Sequence, residues 1–264
     1  MAERITVAEL VGRALAALGA GHCFGVVGSG NFEVTNALVA AGVPYTAMRH
    51  EGGAATAADA YARMSGRVGL VSVHQGCGLT NAATGIGEAA KSRTPMIVLA
   101  AETARAAVNS NFAMDQTAFA ESVQATSARV NSAASALADT VRAFRTAQNE
   151  RRTVVLNLPL DVQREFVDAS VLDGLAPLPA PEPVRPSDAS VAALADLIEA
   201  AKRPVIIAGR GARHAGAELR TLGESAGALL ATSAVARGLF NGDAFDLGLS
   251  LIHISEPTRQ AEIS

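Results

Sequence analysis

Tryptophan is absent from this 264-residue chain, and aromatic residues make up only 4% of it. That leaves no stacking platform for the bases of single-stranded nucleic acid. A dominant charge is missing too: 22 basic against 25 acidic residues give a formal net charge of −3. Nothing in that balance draws a phosphate backbone or an anionic membrane. Cysteine occurs twice, at Cys23 and Cys77, each in an apolar or glycine-rich stretch. Such a pair makes neither a disulfide framework nor a metal-ligand spacing, and it suits a reducing compartment. Charges or glycines interrupt every apolar run before it reaches the length of a membrane span. The opening Met1-Ala2-Glu3-Arg4 lacks the basic start and unbroken apolar run of a signal peptide. These absences predict a cytoplasmic protein with no nucleic-acid or membrane partner.

What is there suffices for a core: 49% of the residues are hydrophobic and 18% charged, which excludes bulk disorder. Val7, Leu10, Val11, Ala14, Leu15 and Leu18 recur at helical spacing. Thr6 and Glu9 stand at capping-box spacing before them, and Gly19 and Gly21 close the helix. Apolar runs at 23–27, 43–48, 68–73, 95–100 and 154–158 read as strands. Helical patterns open at Asn31, at His50-Glu51-Gly52-Gly53, at Thr80 or Asn81 after a glycine-rich turn, and near Ala134. Strands apolar on both faces alternating with helices predict an α/β fold: a parallel sheet flanked by helices on both faces. Pro177, Pro179, Pro181, Pro183 and Pro186 predict a stiff linker over 171–187 between a first domain at 1–170 and a second at 188–250. In the second, a helix at 191–201, a strand at 204–208 and a helix at 217–226 predict an incomplete Rossmann-like unit, too short to close a sheet.

Sites in such sheets form at the C-terminal strand ends. Three segments lie there and are placed to converge: 28–31, 50–53 and 74–81. Glu51 sits where an apolar strand meets a glycine-rich helix start. Burial there would raise its pKa and hold it protonated or proton-sharing; taken alone, it reads first as a helix N-terminal acid favoured by the macrodipole. His74 ends a buried strand, as an acid–base group facing a crevice or as a structural histidine bonding a loop carbonyl. Ser29 either donates to a substrate or bonds its own turn. Gly28-Ser29-Gly30 and Gly209-Arg210-Gly211 both lack the third glycine of a dinucleotide fingerprint.

Four segments in order carry a family resemblance: Phe24-Gly25-Val26-Val27-Gly28-Ser29; Arg49-His50-Glu51-Gly52-Gly53-Ala54 with Ala60-Tyr61-Ala62-Arg63; Gly76-Cys77-Gly78-Leu79-Thr80-Asn81; and Leu156-Asn157-Leu158-Pro159-Leu160-Asp161-Val162. Over roughly residues 3–250 the chain resembles the N-terminal pyrimidine-binding domain and part of the central domain of thiamine-diphosphate-dependent enzymes, of the acetolactate synthase and benzoylformate decarboxylase type. The resemblance implies a 2-oxo acid substrate, decarboxylated or carboligated. It implies that Glu51 bonds N1′ of the cofactor's aminopyrimidine and promotes the imino tautomer that forms the ylid. Val27, Gly28, Cys77 and Asn81 match positions that line the cofactor, with Val27 and Cys77 standing where relatives carry proline. His74 and Ser29 match the substrate-side pair of benzoylformate decarboxylase, with Gly30 as a one-residue insertion after the serine. Ala118-Phe119-Ala120-Glu121 lacks the glutamine that synthases carry in this loop.

The family's diphosphate and Mg²⁺ site belongs to a third domain with a Gly-Asp-Gly motif, which does not occur in this sequence. The resemblance therefore implies half a site, inactive alone, completed in a homodimer or homotetramer of a full-length parent; the alternative is a non-catalytic or split-enzyme subunit paired with a separate diphosphate-binding chain. FAD, held by the central domain of some synthases, finds only the incomplete glycine motif at Gly209–Gly211. The segment 251–264 departs from the family pattern and reads as an artefactual tail.

Overall fold

A computed structural model describes residues 3–179 and 182–249; Pro181 and the 251–264 segment lie outside the described residues. The chain divides into two compact units, with the boundary after Glu182.

The first unit begins with β1 (Arg4–Thr6) and α1 (Val7–Ala17), where Thr6 caps the helix by accepting from the Glu9 N–H. There follow β2 (His22–Gly25), α2 (Phe32–Ala40), β3 (Tyr45–Ala47), α3 (Glu51–Ser65) and β4 (Gly69–Val73). Next come α4 (Cys77–Asn81), α5 (Ala83–Lys91), β5 (Met96–Glu102), α6 (Gln116–Ser122) and β6 (Thr126–Arg129). The unit ends with α7 (Ala136–Asn149), β7 (Thr153–Pro159), α8 (Leu160–Gln163) and β8 (Phe166–Asp168). Six strands pair in parallel in the order β3-β2-β4-β5-β7-β6, while β8 pairs antiparallel with β1. The predicted parallel sheet with helices on both faces is therefore present.

Strand geometry explains the two cores. Successive side chains point to opposite faces, so Leu70, Ile97, Leu99, Val154 and Leu156 meet Leu10, Leu15, Leu38 and Phe144 from α1, α2 and α7. Their neighbours Val71, Val98, Ala100 and Val155 meet Ala55, Ala58 and Ile86 from α3 and α5. The second core is alanine-rich because its helices approach closely. A Cβ on Gly85 of α5 would lie 2.5 Å from Ala55 Cβ.

The structure corrects the reading of 74–81. Cys77, Gly78 and Leu79 are helical, not turn, and Thr80 and Asn81 end α4 rather than cap the next helix. The turn is confined to residues around Gly76, whose φ of 65° suits glycine. Edge strand β6 and the short α6 carry no clear sequence signal. Thr126–Arg129 is mixed polar and only half-buried, so its period is faint. Leu172, Leu175 and Leu178 pack on the first core, so part of the proline-marked stretch is seated on this unit.

The second unit holds α9 (Asp188–Ala200), β9 (Val205–Ala208), α10 (Gly216–Ala226) and β10 (Leu229–Thr232). Its two strands are parallel. One face packs Ala208, Leu230 and Phe240, while Val205, Ile207 and Leu229 on the other stay 40–45% exposed.

Candidate active site

The polypeptide leaves β2 for α2 on one face of the sheet and leaves β4 for α4 and α5 on the other. Adjacent strands whose connections diverge open a crevice at their C-terminal ends. The three segments expected to converge do so there.

Glu51 is the first residue of α3, whose N-cap His50 accepts the Gly52 N–H through Nδ1 at 3.0 Å. A carboxylate at this position is favoured by the helix macrodipole. Its Oε2 accepts from Asn81 Nδ2 at 3.1 Å. Two glycines allow that approach. A Cβ on Gly52 would lie 3.1 Å from Asn81 O, and one on Gly78 would lie 3.5 Å from Glu51 Oε1 and 3.1 Å from His74 Cβ. Glu51 and His74 thus flank Gly78. Glu51 is half-buried, not buried as the apolar sequence around it implies, and its bond to Asn81 is exposed to solvent.

His74 has a loop carbonyl within reach of its ring, as the structural reading requires, and a second contact to Ser29. One ring nitrogen, Nδ1, lies 3.3 Å from Gln75 O; the other, Nε2, lies 3.4 Å from Ser29 Oγ. Its ring stands 5.1 Å from that of Phe112, centroid to centroid. Gly28 is necessary for this packing, since a Cβ there would come within 2.2 Å of His74 Cδ2. Gly30 is wedged inward: a Cβ would meet Gln75 Oε1 at 2.0 Å and Ala101 Cβ at 2.8 Å. Gln163 Nε2 donates to Gly30 O at 3.1 Å, so Gly30 is held in the protein interior while Ser29 stays at the surface.

Val27 and Cys77 are exposed, at the loop and at the start of α4. Among the described residues neither is hydrogen-bonded to the Glu51–Asn81 or Ser29–His74 pair. Cys23, by contrast, is fully buried, and that burial pushes its thiol up.

Several residues in this site were not anticipated. Asn31 does precede α2, but its side chain makes no cap bond. It turns inward instead, accepting from Gly28 N at 2.8 Å and donating to Val26 O at 3.1 Å and Ser72 Oγ at 2.8 Å. Thr35 completes this buried network, 2.8 Å from Ser72 Oγ. Buried polar groups are tolerated because each is paired. The legible signal was a serine inside the otherwise apolar run 68–73. Beyond the crevice, Glu102 ends β5 beside Arg129, with Nε and Oε2 3.1 Å apart. Burial pushes this carboxyl up, against the opposing pull of Arg129.

This is a doubly wound α/β unit with its polar groups gathered at the topological switch point. The chain belongs to the thiamine pyrophosphate (thiamine diphosphate) enzymes: the N-terminal TPP binding domain matches residues 5–127, and the central domain matches residues 191–261. The second match runs into the 251–264 segment. A probable 2-ketoarginine decarboxylase of Pseudomonas aeruginosa is 34% identical over 258 residues, covering 94% of this chain and 45% of the relative. The acetolactate synthase large subunit of Parasynechococcus marenigrum is 33% identical over 221 residues, 80% of this chain and 36% of the relative. A sulfoacetaldehyde acetyltransferase of Alcaligenes xylosoxydans is 29% identical over 252 residues, 92% and 40% respectively. The chain therefore spans less than half the length of these relatives. Among the described residues no helix is long and apolar enough to cross a membrane.

Proposed function

We propose that this chain is the cofactor-activating half of a thiamine-diphosphate enzyme that decarboxylates a 2-oxo acid or joins it to a second carbonyl compound. The carrying observation is the carboxyl of half-buried Glu51, held by Asn81 Nδ2 at 3.1 Å beside a wall kept open by Gly78. A ring nitrogen can meet Glu51 Oε1 across that wall, because no side chain at position 78 fills it. The residues present thus fit an aminopyrimidine. Bound thiamine diphosphate supplies an acidic carbon and an electron sink for loss of the substrate's carboxylate. Glu51 holds and returns a proton at the pyrimidine nitrogen, and Asn81 fixes the carboxyl plane. His74 and Ser29, on the far side of Gly78, meet the substrate carboxylate by donation from imidazole and hydroxyl.

Among the described residues no group of three or more His, Cys, Asp or Glu stands together to hold a metal ion. On this reading the Mg²⁺ and diphosphate grip falls to another part of the functional enzyme, in a homodimer or homotetramer or on a separate chain. Alone, the chain turns over no substrate.

Calorimetric titration tests the reading. The expected result is that thiamine and thiamine diphosphate bind with the same affinity, indifferent to Mg²⁺, and that Glu51→Ala abolishes both. Diphosphate-dependent binding that ignores Glu51, or no heat with either compound, would overturn it.

A further inference from the structure

Behind His74 a chain of buried amides runs across the C-terminal ends of the strands. Asn157 of β7 is 1% exposed and donates through Nδ2 to Ser127 Oγ at 3.2 Å and Ala128 O at 3.1 Å, both in β6. Its Oδ1 accepts from Gln116 Nε2 at 2.8 Å. Gln116, 2% exposed at the start of α6, accepts the Gly76 N–H through Oε1 at 3.2 Å. The last link joins residues 40 apart in sequence.

Both amides have one workable orientation. Flipping Gln116 would set its NH₂ against the Gly76 N–H and its oxygen against Asn157 Oδ1; flipping Asn157 would set its oxygen against Ala128 O and its NH₂ against that of Gln116. The chain is therefore a directional brace from the edge of the sheet to Gly76. That glycine is the pivot of the segment, with φ at 65° and ψ at −114°, two residues after His74 and one before α4. From the other side, Phe112 O lies 3.1 Å from where a Cβ on Gly76 would stand, and the Phe112 ring packs on His74. Gly76 is N-cap of a helix of only 5 residues, too short to hold its own entry angle. The buried N–H needs a partner, and Gln116 supplies it.

We propose that Gln116 is a positioning residue for His74. It acts through Gly76, setting the turn that aims the imidazole at Ser29 and seats it against Phe112. The inference rests on the reading of His74 as the substrate-side group given above. Gln116→Leu keeps the volume and leaves both the Gly76 N–H and Asn157 Oδ1 unpaired. Asn157→Asp buries a carboxylate and loses the bond to Ala128 O, yet still accepts from Gln116, so Gly76 stays held. A general loss of stability would affect the two variants alike; a positioning role separates them.

The test is NMR on the labelled 264-residue chain without cofactor, so a failure of the thiamine reading shows in the calorimetry and not here. In Gln116→Leu the Gly76 amide is expected to exchange with solvent roughly tenfold faster or more. The His74–Phe112 ring contact is expected to vanish, while the amides of Val98 and Leu99 keep wild-type rates. Asn157→Asp should retain the ring contact. If Gln116→Leu does not fold, Gln116→Asn, one methylene too short to span both partners, takes its place. A ring contact that survives release of the Gly76 amide, or one lost equally in Asn157→Asp, would overturn the proposal.

Discussion

Gly85 and Gly87 lie on the same helix, α5, and replacing each by alanine should move stability in opposite directions. In isolation either change favours the helix by about 0.8–1.0 kcal/mol. At Gly87 the new Cβ meets Val123 Cβ at 3.9 Å, an ordinary contact, so most of that gain survives. At Gly85 it would stand 2.5 Å from Ala55 Cβ, 2.8 Å from Thr56 N and 2.9 Å from Ala55 C. Two of those three atoms are α3 backbone and cannot rotate away, so the helices must part by about 1 Å to reach carbon–carbon contact distance. Overpacking of this kind costs roughly 1–3 kcal/mol, and the clash with backbone places Gly85 above the low end of that range, so the cost outweighs the helix gain. The net loss reaches about 2 kcal/mol, or roughly 8 °C in Tm at most for a unit of this size. Thermal and urea unfolding followed by far-UV circular dichroism measures it. Gly87→Ala should melt above the wild type and Gly85→Ala below it. Because α3 begins at Glu51, the same displacement should also loosen the Asn81–Glu51 bond. A Gly85→Ala chain as stable as Gly87→Ala would refute the close-packing argument for the alanine-rich face.

Gly28→Ala should expel the His74 ring, since the new Cβ would lie 2.2 Å from Cδ2; loss of the His74–Phe112 ring contact by NMR, with a wild-type fold, checks it. Thr6→Ala removes the cap acceptor for the Glu9 N–H and should cost about 0.5–2 kcal/mol in urea unfolding. Asp139 gives the pH dependence: burial alone would raise its carboxyl, but donation from Asn131, Ser135 and Arg142 outweighs that and holds it below the ordinary range. A folded-state pKa below the unfolded value of about 3.9 means that its stabilisation is present above that value and is lost as pH falls through the folded one. The stability gap between wild type and Asp139→Asn should therefore shrink on acidification below about pH 5; a gap that widens would contradict the assignment.

The central fold was legible because apolar runs such as 68–73 and 95–100 are buried on both faces, which leaves only a parallel sheet between helix layers. The convergence of Glu51, His74 and Ser29 was legible for the same reason, since each follows one of three strands that prove to be neighbours. What escaped was conveyed by single polar residues. Asn31 reads as a cap and is a buried junction; Gln116 and Asn157 lie far apart in sequence, and only the sheet order brings them together. The start of α4 was misread because Gly76, Cys77 and Gly78 look like a turn, whereas only Gly76 needs a turn's backbone. Glu51 is less buried than its alanine and glycine neighbours imply, because burial depends on what faces the crevice and not on adjacent residues.

The most direct test of the account follows the Glu51 carboxyl carbon and the Asn81 side-chain amide by NMR while thiamine diphosphate is added. The account predicts that both resonances move together with the Gly52 and Gly78 amides, and that the movement is lost in Glu51→Gln. Shifts that leave Glu51 and Asn81 still and gather elsewhere, such as at the Gly209–Gly211 turn, would contradict it.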